Sequence, residues 1–240
     1  MRFFIELSYK GTNYHGWQLQ PNANSVQAEI NNALSTLLNT KIEVTGAGRT
    51  DTGVHAKQMF AHFDSQQHLD GLQLVPKLNG FLPKDITIHN IKAVADNANC
   101  RFDAISRTYQ YHIIQQKSPF IENAYLLYKN LDVNAMNLAC KYLLGKQDFT
   151  SFSKVHTQTF TNNCNVMLAN WDQTERELIF TIKADRFLRN MVRAIVGTLL
   201  AVGEGKIKPE QVKEIIAIKD RGEAGASVPA HALFLSSIEY

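Results

Sequence analysis

The feature that most restricts how this chain can fold is an alternation of residue periods that occurs twice. Residues 2–9 (RFFIELSY) place Phe3, Ile5, Leu7 and Tyr9 on one face, the period of two of a half-buried strand. Ser25 then stands where a helix N-cap belongs. Val26, Ile30, Ala33, Leu34, Leu37 and Leu38 follow it at helical spacing. A short strand is predicted over 42–45 and another over 58–63. A helix from Asp70 to Asn79 contains Pro76, a residue that bends or breaks helices, and a strand over 86–94 closes the set. The order is β-α-β-β-α-β. It then returns, with a strand over 107–114 and a helix from its cap Asp132 to Leu144, stopped by Gly145. Strands over 164–171 and 177–184 come next, then a long helix over 187–202, an extra helix from Pro209 to about Lys219, and a last strand over 233–238. The pattern predicts an α+β fold of two ferredoxin-like β-α-β-β-α-β halves, with mixed, mainly antiparallel sheets forming a central cleft. The polar run ADNANCRFDA (95–104) marks the join, so the halves are 1–100 and 101–240.

Composition narrows the class. With 240 residues and 45% hydrophobic content, the chain can bury a real core. No stretch reaches the ~18 apolar residues of a membrane span. The longest apolar run near residue 1 is Phe3-Phe4-Ile5, too short for a signal peptide. These readings predict a cytoplasmic protein with no membrane partner. Cys100, Cys140 and Cys164 form no Cys-x-x-Cys pair, which argues against a disulfide framework or zinc knuckle. Cys140 lies in a helical apolar pattern and reads as a buried thiol. The formal net charge of +3 permits nucleic-acid binding without demanding it. The cations are spread, among them Arg49, Lys57, Lys77, Lys84, Arg101, Arg107, Arg186, Arg189 and Arg193.

The stretch GAGRTDTGVHA (46–56) carries the densest chemistry. It joins two predicted strands with no helix after it, which weighs against a phosphate loop. Asp51 and His55 are four apart, but no third metal ligand is evident. A plain glycine turn has no need of Arg49. A catalytic loop does, because an arginine fork holds a carboxylate ionised or grips a phosphate. Asp51 would then serve as an anionic nucleophile or base.

Beyond this loop the chain resembles one family along nearly its whole length. GRTDTGVHA is similar to the signature of the tRNA pseudouridine synthase A (TruA) family. So are SYKGTNYHGWQLQ (8–20) with SVQ (25–27), LNGFLPKDI (78–86), RFDAISRTYQY (101–111), LLGKQDFTSF (143–152), RFLRNMVRAIVGTLLAVG (186–203) and VPAHALFLSSIEY (228–240), in the family's order. The resemblance implies an isomerase that converts uridine to pseudouridine at positions 38 to 40 of the tRNA anticodon arm. It implies no cofactor and no metal, and a homodimer. It implies that Asp51 is the essential aspartate and Tyr109 the active-site tyrosine under the target base. It implies that Arg193 is the basic residue paired with Asp51, and Arg49 on the same loop would replace stacking lost when the base is flipped out or hold a phosphate. The helical wheel adds to the Arg193 assignment. Leu188, Val192, Ile195 and Leu199 define a buried face, and Asn190, Arg193 and Gly197 form a stripe beside it. Gly197 would let another segment approach closely. Leu233 and Leu235 would supply apolar contacts to the pocket. Lys10 stands where the family often has an acidic residue, and Thr108 and Gln110 where basic ones are common. Two competing readings lack their signatures. No RNP-type aromatic-basic strand supports a non-catalytic RNA-binding module, and no second poised carboxylate supports a hydrolase.

Overall fold

A computed structural model describes residues 1–154 and 160–240. It divides into two compact units, Met1–Ile105 with Leu235–Tyr240, and Ser106–Phe234. The architecture is α+β, as the alternating periods predict.

In the first unit the chain runs β1 (Arg2–Tyr9), α1 (Val26–Leu38), β2 (Thr45–Gly46), β3 (His55–Asp64), α2 (Gly71–Phe81) and β4 (Ile86–Val94). β1 pairs antiparallel with both β3 and β4, and β2 pairs antiparallel with β3. The order β4-β1-β3-β2 is that of a split β-α-β unit. Register places Phe3 opposite Phe63, Ile5 opposite Ala61 and Leu7 opposite Met59. All six are buried, with the Phe3 and Phe63 rings 5.6 Å apart and stacked. Ile30, Ala33 and Leu34 of α1 are fully buried as well. Each such large side chain contributes about 1.5–3 kcal/mol through removal from water.

Helix caps follow the sequence. The Ser25 hydroxyl accepts from Ala28 N–H, and the Asp70 carboxylate accepts from Leu72 N–H. Pro76 lies inside α2 on its exposed side, where solvent can satisfy the carbonyl it leaves unpaired. The strand predicted over 42–45 shrinks to the two residues of β2. Side chains of α1 take the backbone groups that a neighbouring strand would have used. Ser35 Oγ accepts from Ile42 N–H at 2.9 Å, Asn31 Oδ1 accepts from Val44 N–H at 2.9 Å, and Gln27 donates to Val44 O at 2.7 Å.

The second unit contains β5 (Ser106–Ile114), β6 (Tyr125–Leu126), α3 (Val133–Cys140), β7 (Gly145–Asp148), β8 (Asn163–Gln173), β9 (Leu178–Ala184), α4 (Met191–Gly203) and α5 (Gln211–Ile218). Antiparallel pairing gives the order β5-β9-β8-β7, and β6 adds a parallel pair on β5. The α-helical part of the segment after Asp132 ends at Cys140, earlier than Leu144, because the chain tightens into a 3₁₀ turn over Lys141–Leu143. The long helix starts at Met191 rather than Phe187, because Asn190 takes a left-handed conformation, φ 66°. Tyr111, Ile113, Phe180 and Ile182 form a fully buried sheet face, and Ile195, Val196 and Leu199 of α4 are fully buried too. The last strand, β10 (Leu233–Glu239), begins in this unit. From Leu235 it groups with the first, next to β3.

Candidate active site

The loop of Gly46–Ala56 is held by the segment that follows β1. Thr50 is buried, while its neighbour Arg49 is exposed and Asp51 partly exposed. The Thr50 hydroxyl is 2.9 Å from the buried Tyr9 hydroxyl, and Thr50 O accepts from Trp17 N–H at 3.3 Å. Gly16 has φ +90°, and a Cβ there would overlap Thr50 O. Only glycine allows both that backbone and that approach. The Trp17 indole lies against Gly46, where a Cβ would strike it.

The far side of the loop is fixed in the same manner. Val54 N–H donates to Asp51 O at 3.1 Å, closing a turn that Gly53 enters at φ +79°. Gly53 N–H donates to Tyr14 O at 3.4 Å. The buried His55 accepts from Gly11 N–H at Nδ1, 2.9 Å, so that nitrogen carries no proton. A Cβ on Gly11 would overlap Val54 O. The backbone on both sides of Asp51 is therefore anchored, while Asp51 itself stays partly exposed. Nothing in residue spacing announces Tyr9, Gly11, Gly16 and Trp17 as braces. The signals that pointed to them were their place in the family-like motif SYKGTNYHGWQLQ and the two glycines among its aromatic residues.

Tyr109 and Arg193 belong to the second unit. Tyr109, opposite Ile182 on β9, is partly exposed, and its ring meets Phe187 edge-on at 5.1 Å and 86°. The edge contact holds the phenol ring at a fixed tilt. Tyr111, one pleat further, is fully buried, and its hydroxyl donates to Pro229 O at 2.9 Å. Burial raises its pKa, an effect the Arg193 charge opposes.

The stripe of Asn190, Arg193 and Gly197 meets the segment 224–228. Asn190 donates to Ser227 Oγ at 2.6 Å, Arg193 Nε donates to Val228 O at 2.7 Å, and a Cβ on Gly197 would overlap Ala226 O. Gly225 N–H also donates to Thr198 Oγ1 at 2.8 Å. The close approach expected at Gly197 is thus made by this segment. It fixes the Arg193 side chain at Nε. Leu233 is buried at the start of β10. Lys183 lies directly across from Thr108 on β9, so the sheet carries a cation beside a position where the sequence lacks one.

Among the described residues, no group of three or more His, Cys, Asp or Glu could hold a metal ion, and no helix is long and apolar enough to cross a membrane. All three cysteines are buried and in no disulfide, and burial pushes the thiols of Cys140 and Cys164 up to about 12, which keeps them protonated.

The family model described as tRNA pseudouridine synthase matches residues 7–103 and 139–240, well over half of the chain. The chain belongs to the tRNA pseudouridine synthase A family. It is 52% identical to tRNA pseudouridine synthase A of Parabacteroides distasonis, covering 100% of this chain and 96% of that one. The corresponding protein of Bacteroides thetaiotaomicron is 51% identical, with 100% and 90% covered. That of Francisella tularensis subsp. novicida is 41% identical, with 99% and 93% covered. The enzyme is accordingly an isomerase that forms pseudouridine from uridine in tRNA.

Proposed function

We propose that this synthase modifies uridines 38, 39 and 40 of the tRNA anticodon stem-loop, with Asp51 as the essential catalytic carboxylate. The observation that carries the reading is the loop itself. Its backbone is anchored on both sides of Asp51, and Asp51 itself is left partly exposed. Such preorganisation is what a reacting group requires and what a plain turn does not.

The isomerisation breaks the N1–C1′ bond, turns the uracil and forms a C5–C1′ bond. A proton leaves C5 and one is gained at N1, so atoms and electrons balance without a cofactor. Asp51 provides the negative charge that acts on the sugar or base, and Arg193 pairs with it. The uridine must leave the stack, at a cost of a few kcal/mol. Arg49, exposed two residues before Asp51, offsets part of that cost by filling the gap or gripping a phosphate. Tyr109 lies under the flipped base, where an aromatic plane contributes roughly 1–3 kcal/mol, and Leu233 contributes an apolar wall. The anticodon arm of tRNA is the partner, the working form is a homodimer, and the compartment is the cytoplasm.

Release of tritium from tRNA labelled at C5 of uridine tests the reading. The enzyme alone should release label from tRNAs with uridine at 38, 39 or 40. Asp51→Ala and Asp51→Asn should reduce release at least about 10⁴-fold while leaving the melting temperature unchanged. Label release by Asp51→Ala at near the wild-type rate would remove Asp51 from the mechanism.

A further inference from the structure

The segment that braces the Asp51 loop is itself held from behind by one carboxylate. Asp85 lies in the turn between α2 and β4. Its Oδ1 accepts from the Tyr14 hydroxyl at 2.6 Å and its Oδ2 accepts from Asn13 Nδ2 at 3.0 Å. Its backbone oxygen accepts from Lys10 N–H at 2.8 Å. Three donors from residues 10, 13 and 14 thus converge on one residue some seventy positions away. The Tyr14 ring is buried, and burial followed by the Asp85 carboxylate holds its phenol protonated, well above the ordinary range. A hydrogen bond from a phenol to an ionised carboxylate is short and roughly twice as strong as a neutral pair.

Tyr14 faces the catalytic loop with its other polar group. Its carbonyl accepts the Gly53 N–H, two residues beyond Asp51. Gly11, in the same turn, donates its N–H to His55 and packs on Val54 O. Asp85 is therefore linked to the loop that carries Asp51 through a connected chain: carboxylate, Tyr14 and Asn13 side chains, Tyr14 carbonyl, Gly53 amide. The Gly53–Tyr14 bond is long, at 3.4 Å, and the connection is reinforced by the 2.9 Å bond from Gly11 N–H to His55 Nδ1 and by the close approach of Gly11 to Val54 O.

We infer that Asp85, with Tyr14, is a positioning pair that sets where the Asp51 carboxylate sits during catalysis. The inference rests on the catalytic reading of Asp51 given above. A misplacement of about 1 Å at a reacting group can cost on the order of 100-fold in rate. Asp85→Ala and Tyr14→Phe should each lower kcat about 10- to 100-fold, with KM for tRNA changed less than about threefold. The double variant should be no slower than the slower single variant, because both break the same link. Asp85→Asn should recover kcat to within about threefold of wild type. Its amide oxygen still accepts from Tyr14, and the Asn13 amide can turn to accept from its NH₂.

Steady-state tritium release with tRNA varied through saturation, alongside tRNA affinity and melting temperature, tests the inference. Loss of kcat with affinity retained, recovered by Asp85→Asn, supports it. Three results overturn it: unchanged kcat in Asp85→Ala, loss confined to tRNA affinity, or loss in proportion to the unfolded fraction. A wild-type enzyme that releases no tritium, or an active Asp51→Ala, would instead sink the underlying reading of the loop.

Discussion

Single residues in this enzyme carry their consequences through what lies against them. Gly16 and Gly48 illustrate the contrast. Gly16 combines φ +90° with contact on Thr50 O, whereas nothing lies within 4 Å of a Cβ added at Gly48. Gly16→Ala should destabilise the protein by about 2–4 kcal/mol, from the left-handed penalty plus overlap. Gly48→Ala should stay within about 0.5 kcal/mol of the parent. Urea unfolding of the two variants separates them, and equal midpoints would contradict the packing described for the loop. His62 sets a pH response. It is buried, with Nδ1 3.1 Å from Cys100 Sγ, and burial, then Arg2, lower its pKa from the ordinary 6.5. The unfolded chain takes a proton that the folded one refuses. The contribution of His62 is thus complete above pH 6.5 and declines as pH falls through that value toward the lower native one. Urea midpoints measured from pH 7 to pH 5 should fall, and the fall should be shallower in His62→Gln.

At the scale of elements, local rules and tertiary packing part company where a second segment docks. In an isolated helix, Gly→Ala is favourable by about 1 kcal/mol. In α4 the sign should reverse at Gly197, because the 224–228 segment occupies the space a methyl would need. Gly197→Ala should cost about 1–3 kcal/mol and loosen the carbonyl of Val228 that holds Arg193 Nε. Calorimetry checks the first part, and raised hydrogen exchange at Val228, whose N–H donates to Arg193 O, checks the second. Most elements were legible from period and caps: β1, α1, β4 and the helix starts at Asp70 and Asp132 lie where the residues place them. The strand over 42–45 was not legible as mostly loop. Its alternation is real, with Ile42 and Val44 buried, but α1 side chains capture its backbone groups. Two-residue β6 and four-residue β7 were too short to leave a periodic trace.

At the scale of the molecule, the last residues of the sequence complete the first unit. Ile105 N–H donates to Glu239 O, Ile238 N–H to Gln58 Oε1, and Tyr240 OH to Cys100 O. The Tyr240 ring also packs edge-on against Phe60 at 5.2 Å. Deleting Leu235–Tyr240 should therefore strip protection from β3 amides in hydrogen exchange, although β3 is some 170 residues away in sequence. Unchanged protection there would contradict the grouping of β10 with the first unit.

The sequence by itself determined the order of elements, the helix caps, the family and the loop that carries Asp51. Each of these depends on residues within a few positions of one another or on ordered motifs. Only the tertiary structure decided what holds that loop still. The Tyr9–Thr50, Gly11–His55 and Tyr14–Asp85 bonds span 41, 44 and 71 residues. No period or spacing encodes such partners, because they are selected by which backbones the β1–β3 and β1–β4 registers bring side by side. Buried polar groups must be satisfied by whatever lies within reach.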